Sequence, residues 1–205
     1  MKKIILIGCG GHAKSITDSV LTAEEFEIAG FLDNSATSGY RGYKTIGTDE
    51  NLKQIFDDGI EYAFVCIGFL GESKIRNDLY TKLKNIGFKL PVIIDPSAVI
   101  AADVTLDEGT FVGKNVVINS NSKVGKMTII NSGAIIEHDC VVGDYSHISV
   151  ACVLCGNVKI GNDCLIGANS TVIQGISIGD NVIVGAASLI LNNIEDNKKV
   201  IGIFK

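Results

Sequence analysis

A period of six residues runs through the second half of this chain and constrains its fold more than any other feature. Stepping by six from Ile100 reaches Leu106, Val112, Ile118, Val124, Ile130, Ile136, Val142, Ile148, Leu154, Ile160, Ile166, Val172, Ile178, Val184 and Ile190; all sixteen positions are Ile, Leu or Val. Four residues past each anchor the sequence is mostly small, as at Thr110, Ser122, Thr128, Ala134, Cys140, Ser146, Cys152, Cys164, Ser170 and Ser188. One residue past the anchor, glycine recurs at Gly113, Gly125, Gly143, Gly161, Gly167, Gly179 and Gly185. An α-helix returns its apolar face about every 3.6 residues, so a strict period of six excludes it.

A unit of six fits a short strand followed by a tight turn, and three units close one triangular coil. Stacked coils pair as parallel ladders roughly 4.8 Å apart. The anchor fills the inside of each face, the small residue sits at the corner, and glycine is expected to supply turn conformations that a side chain would resist. Residues 100 to 190 give about five coils, a prism of roughly 25 Å. This repeat is known to build the left-handed parallel β-helix, an exception to the right-handed rule for parallel crossovers. Cys140, Cys152 and Cys164 occupy small positions and read as core.

The first 90 residues have another rhythm. KKIILIG reads as a buried strand, GCGGHAKSITDSVLTA turns into a helix, EIAGFLDN is a second strand and EYAFVCIG a third. Thr48 caps a helix with acidic residues in its first turn, and Gly87 stops the helix begun by KIRNDLY. Strands alternating with helices predict a small α/β, Rossmann-like domain over 1–90. The only prolines, Pro91 and Pro96, mark the boundary to a β-helix domain over 91–205 with a short C-terminal tail.

A net charge of −5 argues against nucleic acid and anionic membranes as partners. No apolar run is long enough to span a bilayer. The N-terminal apolar run is only five residues and is followed by glycines, which reads as a strand rather than a secretion signal. Six cysteines without a framework spacing then read as reduced thiols in a cytoplasmic protein.

Two places carry chemistry. Gly8, Gly10, Gly11 and Ala13 follow the first strand in a G-x-G-x-x-A pattern, where backbone N–H groups and a helix N-terminus can face a phosphate. Asp33, about twenty residues on, ends the second strand, where an acid can bind a ribose hydroxyl or a base N–H. Gly68 would border the same crevice. With some 90 residues available, one nucleotide fits better than a dinucleotide. His12 points either toward that ligand or toward the β-helix. The repeat half holds two histidines, His138 and His147, one short of a tetrahedral zinc site with an open position. His138 falls at a turn between Glu137 and Asp139, and a carboxylate beside an imidazole equips it as a general base.

With the GCGGHAK loop, the FLDN and CIG strand ends, and the segments IIEHDCVVGDYSHISV and GNVKIGNDCLIGANS, the chain resembles the NeuD/PglD-type sugar-nucleotide acetyltransferases, hexapeptide-repeat acyltransferases of bacterial glycan synthesis. The resemblance implies an acetyl-CoA-dependent N-acetyltransferase acting on a UDP-type 4-amino sugar, without metal or acyl-enzyme. It implies His138 as general base and Asp139 as the group raising its basicity. Gly10, Gly11, His12, Asp33, Asn34 and Gly68 would hold the nucleotide sugar, and His147, Ala168 and Ala186 would contact acetyl-CoA. A homotrimer with sites between protomers is implied as well. Two departures stand out. The chain ends KKVIGIFK without the Gly-x-Pro-Ala-Arg-type tail of many relatives, and Asn34 replaces a second Asp. O-acetylation of sialic acid or another sugar is the enzymatic alternative. A non-catalytic nucleotide-sensing trimer and an NAD-dependent oxidoreductase are the alternatives from other classes.

Overall fold

The computed structural model describes residues 1–35, 38–69, 71 and 74–205. In the first half, β1 (Lys2–Ile7), β2 (Phe26–Leu32), β3 (Thr45–Gly47) and β4 (Tyr62–Val65) form a parallel sheet of order β3-β2-β1-β4. Ile4 to Ile7 are at most 1% exposed, because helices cover both faces of the strand. The helices are α1 (Gly11–Ala23), α2 (Leu52–Asp57) and α3 (Lys74–Ile86). Thr48 caps a short 3₁₀ turn, Asp49–Asn51, that leads into α2; Asn51 returns a hydrogen bond to the Thr48 N–H, completing a capping box. β3 has only three residues and no alternation, and the sequence gives no sign of it.

From Ile93 onward the chain is a parallel β-helix. Ile93–Ile94 pairs with Phe111–Val112, and each two-residue strand pairs with the one a coil later. The fourteen anchors from Val112 to Ile190 are at most 3% exposed, while Ile100 and Leu106, in the open first coil, are half-buried. Burying each such side chain contributes about 1.5–3 kcal/mol. At the small positions, hydroxyls and thiols reach back to the next coil. Ser122 donates to the Glu137 carbonyl at 2.8 Å, Ser146 to Gly161 at 2.8 Å and Cys152 to Gly167 at 2.9 Å. The buried polar atoms of the corners are thereby paired.

The recurring glycines have a different cause from the one expected. Left-handed φ angles fall three residues past the anchor, at Asn115, Asn121, Asp139, Asn157, Asp163, Asn169 and Asn181, with values between 54° and 61°. Asn and Asp tolerate that region better than other side chains. The glycines one residue past the anchor do not need it. They are kept small by the next coil: a Cβ on Gly143 would lie 2.6 Å from the Gly161 carbonyl carbon, and one on Gly161 would lie 2.6 Å from that of Gly179.

The three faces of the prism differ. One is covered by the α/β half: the outward residues Ile93, Phe111, Ile129 and His147 are buried against Phe64, Cys66 and Phe69. Polar contacts hold the two halves. Asp95 accepts from Ser19 at 2.6 Å, Lys114 bridges Asp95 and Asp18, and the buried Arg76 of α3 donates to the Met127 and Tyr145 carbonyls. The next face presents Val99, Val117, Ile135, Val153, Thr171, Leu189 and Ile203, with Val99 and Ile203 about two-thirds exposed at 66% and 65%. The third face presents Thr105, Lys123, Val141, Lys159 and Ser177. These are the covered, apolar and polar faces. Among the described residues no helix is long and apolar enough to cross a membrane.

Candidate active site

The glycine loop opens a cavity of about 340 Å³ at the C-terminal ends of β1, β2 and β4. Gly8 is left-handed at φ +94° and donates to the Leu32 carbonyl at 2.7 Å, which sets the turn. Gly10 and Gly11 face open space, and no side chain among the described residues caps the start of α1, so its first amides can meet an anion. Asp33 lines the cavity, but both its oxygens serve the loop: Oδ2 accepts the Cys9 N–H at 2.6 Å and Oδ1 the Ser35 N–H at 2.8 Å. Burial disfavours its charge, yet the bonds from Ser35 and Cys9 outweigh burial and hold the carboxyl below its usual range. Asn34 and Gly68 also line the cavity. So does Asp49, which sequence reasoning missed; it is bonded to Asn34 and lies on the 3₁₀ turn behind β3.

His12 is not among the residues lining this cavity. Its ring stands edge-on to Phe111 of the covered face at 5.4 Å between centroids, which decides between the two directions left open by the sequence. Burial pushes its pKa down to about 3, helped by His147 and Arg76, so the ring is neutral. Residues 66–69 join the cavity to the β-helix: Cys66, Ile67 and Gly68 line the cavity, and the Phe69 carbonyl lies 2.9 Å from His147 Nδ1. A carbonyl only accepts, so Nδ1 carries the proton and Nε2 is an acceptor. Asn131 Nδ2 meets that Nε2 at 3.2 Å, with its Oδ1 turned to the Ser132 N–H. Burial, the main cause, lowers the His147 pKa and keeps this neutral tautomer.

His138 sits at the corner between the apolar and polar faces, directly after Ile135–Ile136. Its Nδ1 lies 2.7 Å from Asp139 Oδ2. The carboxylate accepts, so in the neutral ring Nδ1 carries the proton and Nε2 the lone pair, the tautomer a general base requires. Asp139 takes the left-handed φ of +61° that brings its side chain back to the ring. Asn121, one coil earlier, donates to Asp139 Oδ1 at 2.7 Å. The hydrogen bonds from His138 and then Asn121 hold the Asp139 carboxyl below its usual range. The imidazole lies over Gly156 of the next coil, where a Cβ would come within 2.6 Å of Nε2.

The predicted residues of the β-helix fall into two groups. Ala168 and Ala186 stack one coil apart at the corner between the covered and apolar faces, linked by the Ala187 N–H to the Ala168 carbonyl at 2.8 Å. His147 reaches the same corner through Asn131. His138 and Asp139 occupy the opposite edge of the apolar face. A single chain therefore keeps the two groups apart, with the full apolar face between them.

Residues 3–83 match the PglD N-terminal domain family, and residues 152–191 match the hexapeptide repeat of succinyl-transferase. A histidine-to-asparagine variant of perosamine N-acetyltransferase from Caulobacter crescentus, solved with CoA and GDP-perosamine, is 34% identical. That match covers 98% of this chain and 94% of that one, with a TM-score of 0.93. The acetyltransferase domain of PglB from Neisseria gonorrhoeae FA1090, solved with acetyl coenzyme A, is 30% identical over 98% of this chain and 96% of that one, with a TM-score of 0.92. PerB from Caulobacter crescentus, also with CoA and GDP-perosamine, is 31% identical over 98% and 95%, with a TM-score of 0.82. The α/β domain, the left-handed parallel β-helix and these likenesses over nearly the whole length place the chain in the NeuD/PglD-type sugar N-acetyltransferases, a family of hexapeptide-repeat acyltransferases.

Proposed function

We propose that this enzyme transfers the acetyl group of acetyl-CoA directly to the 4-amino group of a nucleotide-linked sugar, with His138 as general base. The observation that carries this reading is the His138–Asp139 contact, which in the neutral ring assigns the proton to Nδ1 and the lone pair to Nε2. The amine nitrogen attacks the thioester carbonyl and His138 Nε2 takes the proton the nitrogen loses. The C–S bond then breaks and the proton held by His138 passes to the departing thiolate, leaving an amide, coenzyme A thiol and the neutral base. Much of the rate comes from holding two substrates together. That similar proteins were solved with CoA, acetyl coenzyme A and GDP-perosamine supports the two substrate classes.

In this reading residues 1–90 hold the nucleotide and residues 91–205 carry out acyl transfer. Gly10 and Gly11 face the phosphates, and Asp33 shapes the loop that does so. Gly68 and His12 back the cavity where it adjoins the β-helix. Acetyl-CoA runs along the corner of Ala168 and Ala186, with His147 and Asn131 as its wall. The exposed apolar face is the trimer interface, since a contiguous apolar surface of this kind is covered by association. Packing three such faces about a threefold axis brings the His138 edge of one protomer to the Ala168 edge of its neighbour. The site is completed between chains.

Thiol release from acetyl-CoA with UDP-, dTDP- and GDP-4-amino sugars and with free sialic acid tests the reading. Release with a nucleotide amino sugar, abolished in His138→Ala, is the expected result. Release with sialic acid alone would reassign the enzyme to O-acetylation. The uridine form is what the family resemblance suggests, and the chemistry of the cavity bears on that choice.

A further inference from the structure

We propose that Asp49 selects the base of the bound nucleotide, and that the base it selects is guanine. The inference rests on the reading that the cavity holds a nucleotide, and it revises the expected uridine form.

Among the described residues the polar side chains Asp33, Asn34 and Asp49 line the cavity, and none of its described lining residues is Lys, Arg or His. Asp33 spends both oxygens on the glycine loop and Ser35. Asn34 spends both ends of its amide on Asp49: its Nδ2 donates to Asp49 Oδ2 at 3.0 Å and its Oδ1 accepts the Asp49 N–H at 3.2 Å. That leaves Asp49 Oδ1 without a hydrogen-bond partner among the described residues. The turn carrying it is fixed on several sides. The Asp33 N–H donates to the Gly47 carbonyl at 3.0 Å, Asn51 bonds the Thr48 N–H at 2.9 Å, and Lys82 donates to the Asp49 carbonyl at 2.7 Å. The carboxylate is thus preorganised before any ligand arrives. The carboxylate absent at position 34 is replaced by one that Asn34 orients.

An ionised carboxylate accepts and cannot donate. Guanine offers two adjacent donors, N1–H and the N2 amine, which match the two oxygens of one carboxylate: one bonds the free Oδ1, and the other uses the second lone pair of Oδ2 beside the bond from Asn34. Uracil and thymine offer a single N–H between two carbonyls. Pairing that N–H with one carboxylate oxygen sets the other against a carbonyl oxygen. Adenine and cytosine offer one amino donor beside a ring nitrogen that only accepts. Leu32, Ile67 and Ile75 supply apolar surface for the ring. A site built to hydrogen-bond one edge rejects a base lacking it strongly, because the polar group is left unpaired.

Titration calorimetry of the purified full-length protein with GDP, IDP, UDP and dTDP tests this. GDP is expected to bind at least about tenfold tighter than UDP or dTDP, and several-fold tighter than IDP, which lacks the N2 amine. Asp49→Asn keeps the shape, turns the free oxygen into an amine donor, and is expected to reverse the GDP-over-UDP preference. UDP or dTDP binding as tightly as GDP to the unaltered protein would overturn the assignment while leaving the cavity a nucleotide site. An unchanged GDP-to-UDP ratio in Asp49→Asn would do the same. Binding of none of the four would instead overturn the nucleotide reading itself, and the Asp49 inference with it.

Discussion

Asn121 Nδ2 lies 2.7 Å from Asp139 Oδ1, and Asp139 Oδ2 lies 2.7 Å from His138 Nδ1, so the proposed base is held by a relay spanning two coils. Asn121 has φ +58°, so Asn121→Gly removes the donor without straining the backbone. We expect kcat to fall about tenfold with KM little changed, as when a supporting hydrogen bond behind a reacting group is lost. A kcat within about twofold of the unaltered enzyme would deny the relay.

Gly156 is the floor beneath His138. Because a Cβ there would meet Nε2 at 2.6 Å, Gly156→Ala must turn the ring away from its present position. The ring is on the surface and free to move, so the melting temperature should change little while kcat falls at least about tenfold. A large loss of stability with normal specific activity in the folded fraction would show that the contact is structural only.

Much of this was legible beforehand. The aliphatic period required the prism, and GCGGHAK after a buried strand required a strand–turn–helix with free amides. The separation of His138 from Ala168 was legible too. One coil is 18 residues in the ladder, and the 30 residues between these two positions are not a multiple of it. Asp49 was not legible. It sits in a turn after a three-residue strand that has no periodic signature, and only tertiary pairing with Asn34 gives it meaning. The role of the glycines was misjudged because sequence shows where a side chain is missing. Whether φ or a neighbouring backbone forbids it depends on how the coils stack.

That correction can be measured. Gly161→Ala should destabilise by about 3 kcal/mol, since its Cβ would collide with the rigid backbone of the next coil. Ala151 already occupies a left-handed position at φ +55°. Ala151→Gly should therefore stabilise by about 0.5 kcal/mol, the relief of strain exceeding the entropy cost of glycine. Denaturant unfolding of both variants checks the two signs. Unchanged stability in Gly161→Ala would deny that the backbone of the next coil excludes a side chain there.

Acid should loosen the contact between the halves. Asp95 is 3% exposed, and burial disfavours its charge, but hydrogen bonds from Ser19, Ser97 and Lys114 prevail and hold its pKa at about 2. A folded pKa below the unfolded value gives stability that is fully present above the unfolded pKa. It is lost as pH falls toward the folded one. The contribution, about 2 kcal/mol, should disappear between roughly pH 4 and pH 2. Asp95→Asn should flatten this limb of the stability curve while lowering stability at pH 7.

The two edges of the apolar face allow a direct test of a site shared between protomers. Ala168→Trp should block the proposed coenzyme corner while leaving His138 intact, and His138→Ala should remove the base while leaving the corner open. Each variant alone should be inactive as a trimer. If a site takes His138 from one chain and Ala168 from the next, random mixing in equal amounts creates some sites with both functional halves. About one quarter of sites meet that condition, so mixed trimers should recover about a quarter of the unaltered activity. Sites built within one chain would recover nothing, because every chain in the mixture carries one defect. Adding Ile135→Glu to both variants should prevent recovery by a separate route, since a charge in the centre of the apolar face opposes association.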